Sequence, residues 1–128
     1  GPLAGILSAL EYAQTHHPAC THVISFATDT PFFPDDLVRR LFDAARERNL
    51  ALACAASGGR SHPVFGLWPV TLAGDLRHAM LHENIRKVDV WTARHGAAVA
   101  DYPAQPFDPF FNINSPQDLV EAEKLLRA

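Results

Sequence analysis

The residues best placed to do chemistry are polar ones that directly follow apolar, strand-like runs, because in open α/β sheets ligands sit outside the carboxyl ends of the strands. Asp29 is the first of these. It follows Thr21 to Ala27, it is the only acid between Ala13 and Pro34, and Pro31 stiffens the turn that carries it. A single carboxylate at such a place suits Mg²⁺, a hard ion that takes one or two protein carboxylates and completes its shell with water and phosphate oxygens. A turn aspartate that caps its own backbone is the competing reading. Gly1-Pro2-Leu3-Ala4-Gly5 sets a proline turn and two glycines before a helical pattern, an arrangement that turns backbone N–H groups toward a ligand. Asn112 and Asn114 share one side if Phe111 to Ser115 is extended, and paired carboxamides donate and accept together to a heterocycle or a phosphate. Asparagines turning the chain ahead of a helix are the alternative.

His62 starts a strand behind the Gly58-Gly59 turn, and Arg86-Lys87 is a basic pair near loop edges able to attract a phosphate. His78 and His82 share a helix face at i, i+4 but lack the acid and third ligand of a zinc site. No Ser-His-Asp or Cys-His pairing can be assembled from spacing, and the sequence contains neither G-x-G-x-x-G nor G-x-x-x-x-G-K-[ST]. Cys20 and Cys54 stand without paired spacing and read as small core residues.

The elements that must hold these residues are legible from periodicity. Leu3, Ile6, Leu7 and Leu10 predict a helix to about His16. Thr21 to Ala27 predicts a strand covered on both faces. Pro34-Asp35-Asp36 opens a helix whose buried stripe is Leu37, Val38, Leu41, Phe42 and Ala45. Leu50 to Ala56 is a second strand, and His62 to Trp68 returns as its hairpin partner. Pro69 to His82 fits a helix, with Leu72, Leu76, Ala79 and Met80 on one face. Ile85 to Arg94 fits a shorter one, although Val88, Val90 and Trp91 also suit a strand. Ala97 to Tyr102 is a strand, and a loop through Pro103, Pro106 and Pro109 follows it. Ser115-Pro116-Gln117-Asp118 has the hydroxyl, proline and acid of a helix start, with Leu119, Val120, Ala122, Leu125 and Leu126 on the core side. The alternation predicts an α/β three-layer sandwich with a mainly parallel sheet, in a single domain over residues 1–128.

With 128 residues, 48% apolar and 20% charged, the chain can bury a core. Eleven basic against fourteen acidic residues give a net charge of −3, which argues against nucleic acid as a partner. The longest apolar run, Leu50 to Ala56, is too short for a membrane span, so a soluble, cytoplasmic protein is expected. The chain begins at Gly1 and its only methionine is Met80, so a processed, truncated or partial chain is expected.

Taken in order, Gly1-Pro2-Leu3-Ala4-Gly5, Ala27-Thr28-Asp29-Thr30-Pro31-Phe32, Ser61-His62-Pro63-Val64, Ile85-Arg86-Lys87-Val88 and Phe111-Asn112-Ile113-Asn114-Ser115-Pro116 resemble the molybdenum cofactor guanylyltransferases across the whole chain. The resemblance implies a Rossmann-like nucleotidyltransferase fold and transfer of GMP from GTP to molybdopterin, giving the guanine dinucleotide cofactor and pyrophosphate. It implies that Asp29 holds Mg²⁺ and nucleotide phosphate, and that the Gly1 to Gly5 segment, with Pro2 and Leu3, forms part of the nucleotide pocket. Asn112 and Asn114 are implied on the molybdopterin side, and His62, Arg86 and Lys87 in pocket or cofactor-phosphate contacts. The family's opening strand and its LAGGxSxRMGxDK loop are absent, so the chain resembles the C-terminal part of such an enzyme, and the isolated fragment is expected to be inactive. Where the family has glycine before the basic pair this sequence has Asn84-Ile85, and asparagine tolerates the left-handed conformation. A CMP-transferring sister enzyme and a non-catalytic module that binds molybdopterin or a molybdoenzyme partner are the alternatives. An uncovered edge strand would favour a dimer of the fragment.

Overall fold

The computed structural model describes residues 1–127. Helix α1 spans Pro2–His16, β1 His22–Ser25, α2 Leu37–Arg48, β2 Leu52–Ser57 and β3 Arg60–Pro69. A 3₁₀ turn at Val70–Leu72 leads into α3, Ala73–His82, followed by α4 at Val88–His95, β4 at Ala97–Tyr102 and α5 at Pro116–Arg127. The four strands form one sheet in the order β1-β3-β2-β4.

The sheet is mixed where a mainly parallel one was expected. β3 pairs antiparallel with both β1 and β2, and only β2 with β4 is a parallel pair. The reason is local: Gly58 (φ 55°) and Gly59 (φ 76°) both take the left-handed region that a two-residue hairpin turn requires, so β3 folds straight back on β2. Because β1 and β2 both run against β3, strands β1, β2 and β4 still point the same way, and their carboxyl ends share one edge.

Helices cover both faces. On one face Leu37, Leu41, Ala44 and Ala45 of α2 pack on Ala53, Ala55, Leu67, Ala98 and Ala100, joined by Phe65, Tyr102 and Phe110. On the other, Leu3, Ile6 and Leu10 of α1 meet Leu76 and Ala79 of α3 and Val88 and Trp91 of α4 over Leu52 and Trp68. β2 lies inside the sheet and is buried at all six positions, which explains its unbroken run of small residues. β1 is different. It forms an edge of the sheet and is only half-buried along its length, so covering on both faces is not met.

Val38 faces solvent rather than the core stripe of α2. Leu119 and Val120 of α5 are also exposed, while the expected burial of Ala122, Leu125 and Leu126 falls outside the described residues. The start of α5 is as read: the Asp118 amide donates to Ser115 Oγ (3.1 Å) and Asp118 Oδ2 accepts from the Asn114 amide (2.9 Å). Residues 88–95 are helical, with Trp91 anchored by its Nε1–H donating to Asp75 Oδ2 (2.9 Å), and Asn84 sits at φ 55°, the left-handed geometry its type tolerates. Cys54 is buried and its thiol is pushed up by that burial, whereas Cys20 is half-buried and its thiol donates to the His22 carbonyl. Among the described residues no helix is long and apolar enough to cross a membrane.

Candidate functional site

The shared carboxyl edge of β1, β2 and β4 gathers the polar residues that chemistry would need. A cavity of about 330 Å³ opens there, lined by Ala27, Asp29, Ser61, His62, Pro63, Val64, Phe65 and Asn112. Three residues singled out from sequence, Asp29, His62 and Asn112, therefore meet across as many as 83 positions of chain. The junction is made by Thr30, 2% exposed, whose hydroxyl donates to Asn112 Oδ1 (2.9 Å) and lies 3.4 Å from Asp29 Oδ1. The Ile113 amide closes the same junction by donating to the Asp29 carbonyl (2.7 Å).

A run of five consecutive lining residues, Ser61 to Phe65, is unusual for a strand, whose side chains alternate between faces. The register explains it. Cys54 pairs with Gly66 but Ala55 pairs with His62, so Pro63, Val64 and Phe65 have no partner in either ladder. This bulge breaks the alternation of β3 and brings consecutive residues to the cavity wall. Pro63 has no amide to lose, and the Val64 carbonyl accepts from Ser25 Oγ instead.

His62 is held from behind. Its Nε2 lies 2.7 Å from Ser57 Oγ, whose hydroxyl donates to Asp108 Oδ1 (2.8 Å), and its ring stacks on Phe110 at 4.7 Å between centroids. Burial lowers the His62 pKa, the Asp108 charge acts against that, and Arg60 lowers it further. Ser57, Asp108, Thr30 and Arg60 escaped the sequence reading. Ser57 and Arg60 frame the Gly-Gly turn, and a polar residue closing an apolar strand was the available signal for Ser57.

A second cavity of about 300 Å³ lies between α1 and β1, lined by Pro2, Gly5, Ile6, Ala9, Val23, Ile24, Ser25, Phe26 and Val64. Val64 borders both cavities, so the two adjoin across one side chain. Gly1 to Gly5 is not a turn ahead of a helix: Gly1 is the N-cap and Pro2 the first residue of α1 itself. Leu3 is turned into the core at 1% exposure, so its side chain lines no cavity. Gly5 contributes by lacking a side chain, since a Cβ there meets nothing within 4 Å.

Arg86, Lys87 and Asn114 line neither cavity. Arg86 donates to the carbonyls of Met80 (2.9 Å) and Ile85 (3.1 Å), closing the end of α3, and Lys87 is the N-cap of α4. Asn112 and Asn114 are both exposed while Phe111 and Ile113 are half-buried, the alternation expected of an extended segment, yet only Asn112 reaches the cavity.

Asp29 has no ion-pair partner among the described residues, and no group of three or more His, Cys, Asp or Glu converges there to hold a metal. One uncompensated, half-exposed carboxylate in a cavity of mixed polar and apolar lining fits Mg²⁺ completed by phosphate oxygens better than it fits a metal held by protein alone.

Comparison with known proteins identifies the family. The model of the MobA-like NTP transferase domain family matches residues 1–99. A molybdenum cofactor guanylyltransferase of Bradyrhizobium sp. (strain ORS 278) is 54% identical over 125 residues, covering 98% of this chain and 59% of that protein. One from Rhizobium rhizogenes (strain K84 / ATCC BAA-868) is 49% identical over 133 residues, covering 100% and 61%. The crystal structure of molybdopterin-guanine dinucleotide biosynthesis protein A from Archaeoglobus fulgidus superposes with a TM-score of 0.68 at 26% identity, covering 98% of this chain and 62% of that one. The chain thus spans about three-fifths of the length of the curated relatives it matches.

Proposed function

The chain belongs to the MobA-like NTP transferase domain family, and from that premise we propose that the complete protein is a cytoplasmic enzyme that transfers GMP from GTP to molybdopterin, with residues 1–128 forming the C-terminal part of its nucleotidyltransferase domain. The observation that carries this reading is the meeting of Asp29, His62 and Asn112 in one cavity that adjoins, across Val64, a second cavity bordered by Gly5. Adjoining cavities suit a reaction that joins two substrates.

In the reaction a terminal phosphate oxygen of molybdopterin forms a bond to the α-phosphorus of GTP as the bond to the bridging oxygen breaks, and pyrophosphate leaves. That phosphate is ionised at neutral pH, so the protein's task is positioning and charge compensation rather than generating a nucleophile. Asp29 is the residue that would hold Mg²⁺, and the ion, when bound, supplies positive charge to the α- and β-phosphates. Thr30 keeps Asp29 and Asn112 in register, and Asn112, whose Oδ1 is occupied by Thr30, presents its amide N–H₂ as a donor. The α1–β1 cavity, open at Gly5 and walled by Ile6, Val23 and Phe26, offers an apolar slot for the ring system of one of the two substrates.

The experiment is an assay of the complete protein with labelled GTP, molybdopterin and Mg²⁺, with CTP as competitor. Incorporation of GMP that CTP does not suppress is expected, and Asp29→Asn should abolish it. Preferential incorporation of CMP, or near-normal turnover by Asp29→Asn, would overturn the reading.

A further inference from the structure

Ser57, His62 and Asp108 come from the end of β2, from β3 and from the loop after β4, and they form a hydrogen-bonded chain that the transfer reaction does not itself call for. It is not an acyl-transfer triad. There the histidine stands between serine and carboxylate, whereas here the serine is in the middle, 1% exposed, with its single proton committed to Asp108.

The direction of each bond follows from proton counting. Asp108 Oδ1 receives two donors, the Ser57 hydroxyl (2.8 Å) and the Phe110 amide (2.9 Å), as an ionised carboxylate oxygen can. The hydroxyl has then spent its proton, so its oxygen accepts from His62, and Nε2 must carry the ring hydrogen. A neutral imidazole protonated at Nε2 has a bare lone pair on Nδ1. No buried side-chain polar atom among the described residues lacks a partner, and Nδ1 has none, so Nδ1 is open to solvent on a residue that lines the cavity. Stacking on Phe110 fixes the ring plane as well as its tautomer.

We propose that Ser57 and Asp108 are positioning residues that lock His62 as the Nε2–H tautomer, so that Nδ1 stands at the cavity as a fixed hydrogen-bond acceptor for a ring N–H of a bound heterocycle. The heterocycle is guanine or a pterin, an identification that rests on the function proposed above. The tautomer lock does not depend on it. Two charged groups bear on the ring, Asp108 through Ser57 and Arg60 at the hairpin turn, and Asp29 lines the same cavity. Burial pushes the His62 pKa down and so favours the neutral ring, the state in which Nδ1 can accept.

The test is long-range ¹H–¹⁵N correlation NMR on the histidine-labelled complete protein, followed by titration with GTP and Mg²⁺ and, separately, with neopterin. In the wild type His62 should show one tautomer, protonated at Nε2. Ser57→Ala should bring His62 to a mixture of the two tautomers. Asp108→Asn, which can still accept through Oδ1, should keep the tautomer but lower the titration midpoint of His62. A bound ring N–H moves the Nδ1 resonance toward the protonated range, under GTP if the donor is guanine and under neopterin if it is a pterin. Ser57→Ala should weaken that ligand by the reciprocal of the fraction of His62 left in the Nε2–H tautomer, a fraction the same spectra read.

Protonation at Nδ1 in the wild type, or a Ser57→Ala chain whose His62 keeps a single tautomer, overturns the lock. Absence of any His62 response to either ligand overturns the acceptor role. A complete protein that fails to transfer GMP while His62 behaves as described removes the enzymatic reading and leaves this one standing.

Discussion

Gly66 gives a test in which local propensity and packing predict opposite signs. Glycine weakens a strand, so Gly66→Ala in the middle of β3 should on propensity alone stabilise the chain by about 0.5–1 kcal/mol. The surroundings forbid it. A Cβ on Gly66 comes within 3.0 Å of Trp68, at Cζ2 (2.4 Å) and Cε2 (2.7 Å), and no real Cβ contact is that short. Trp68 has nowhere to retreat: it is 0% exposed, it packs on Trp91 at 5.7 Å, and its Nε1–H donates to Ser25 Oγ at 2.8 Å. Overpacking of a full core costs about 1–3 kcal/mol, and displacing the indole from Ser25 costs about 1 kcal/mol more. The expected destabilisation is thus about 2–4 kcal/mol. It is read from urea unfolding followed by the fluorescence of the two buried tryptophans. Repeating the substitution in a Trp68→Leu background should reduce its cost below about 0.5 kcal/mol, because the colliding ring is gone. Equal costs in the two backgrounds, or a Gly66→Ala chain as stable as the parent, would refute the steric argument.

Asp29→Asn should leave the stability of the chain, read from urea unfolding, within about 0.5 kcal/mol of the parent, because the Asp29 carboxylate meets only the distant Thr30 hydroxyl and an amide oxygen can take its place there. A larger change would assign Asp29 a structural role. The stability of the chain should depend on pH through His22 and His62, both lowered by burial. Their unfolded forms bind protons first, so unfolding free energy should fall as pH drops from about 6.5 toward the lowered native values, and a flat urea midpoint across that window would contradict their burial. The outer edge of β1 has no strand partner among the described residues, so the isolated chain should self-associate at high concentration, and a monomeric mass by light scattering would count against pairing at that edge.

What the sequence made legible, and what it did not, divides along physical lines. α1, α2, β4 and the start of α5 were readable because each signal is local: apolar spacing, an opening proline, a capping hydroxyl. The direction of β3 was only half-readable, since Gly58-Gly59 announces a hairpin but not that the returning strand will insert between β1 and β2. The half-burial of β1 and the exposure of Val38, Leu119 and Val120 depend on what lies outside each element, which periodicity does not encode. In the site the same division holds. Asp29, His62 and Asn112 were found because they sit at strand ends or alternate along an extended segment. Asp108 and Ser57 were missed because they act through a hydrogen bond spanning 51 positions. Arg86 looked like a free cation, and only the fold shows its guanidinium turned onto the carbonyls of Met80 in α3 and Ile85 in the connection that follows.

The unpaired stretch Pro63 to Phe65 has an implication for how this domain can change. Elsewhere in the sheet one inserted or deleted residue would reverse the facing of everything beyond it, sending Leu67 and Trp68 to the wrong cores. Between His62 and Gly66 the ladder is already interrupted, so a residue added or removed there is absorbed before the pairing of Gly66 with Ser25 and Cys54 resumes. The cavity wall can thereby be altered at these positions while Leu67 and Trp68 keep their cores, and Phe65, which lies in the segment and packs in the core with α2, is a core side chain that such a change would move.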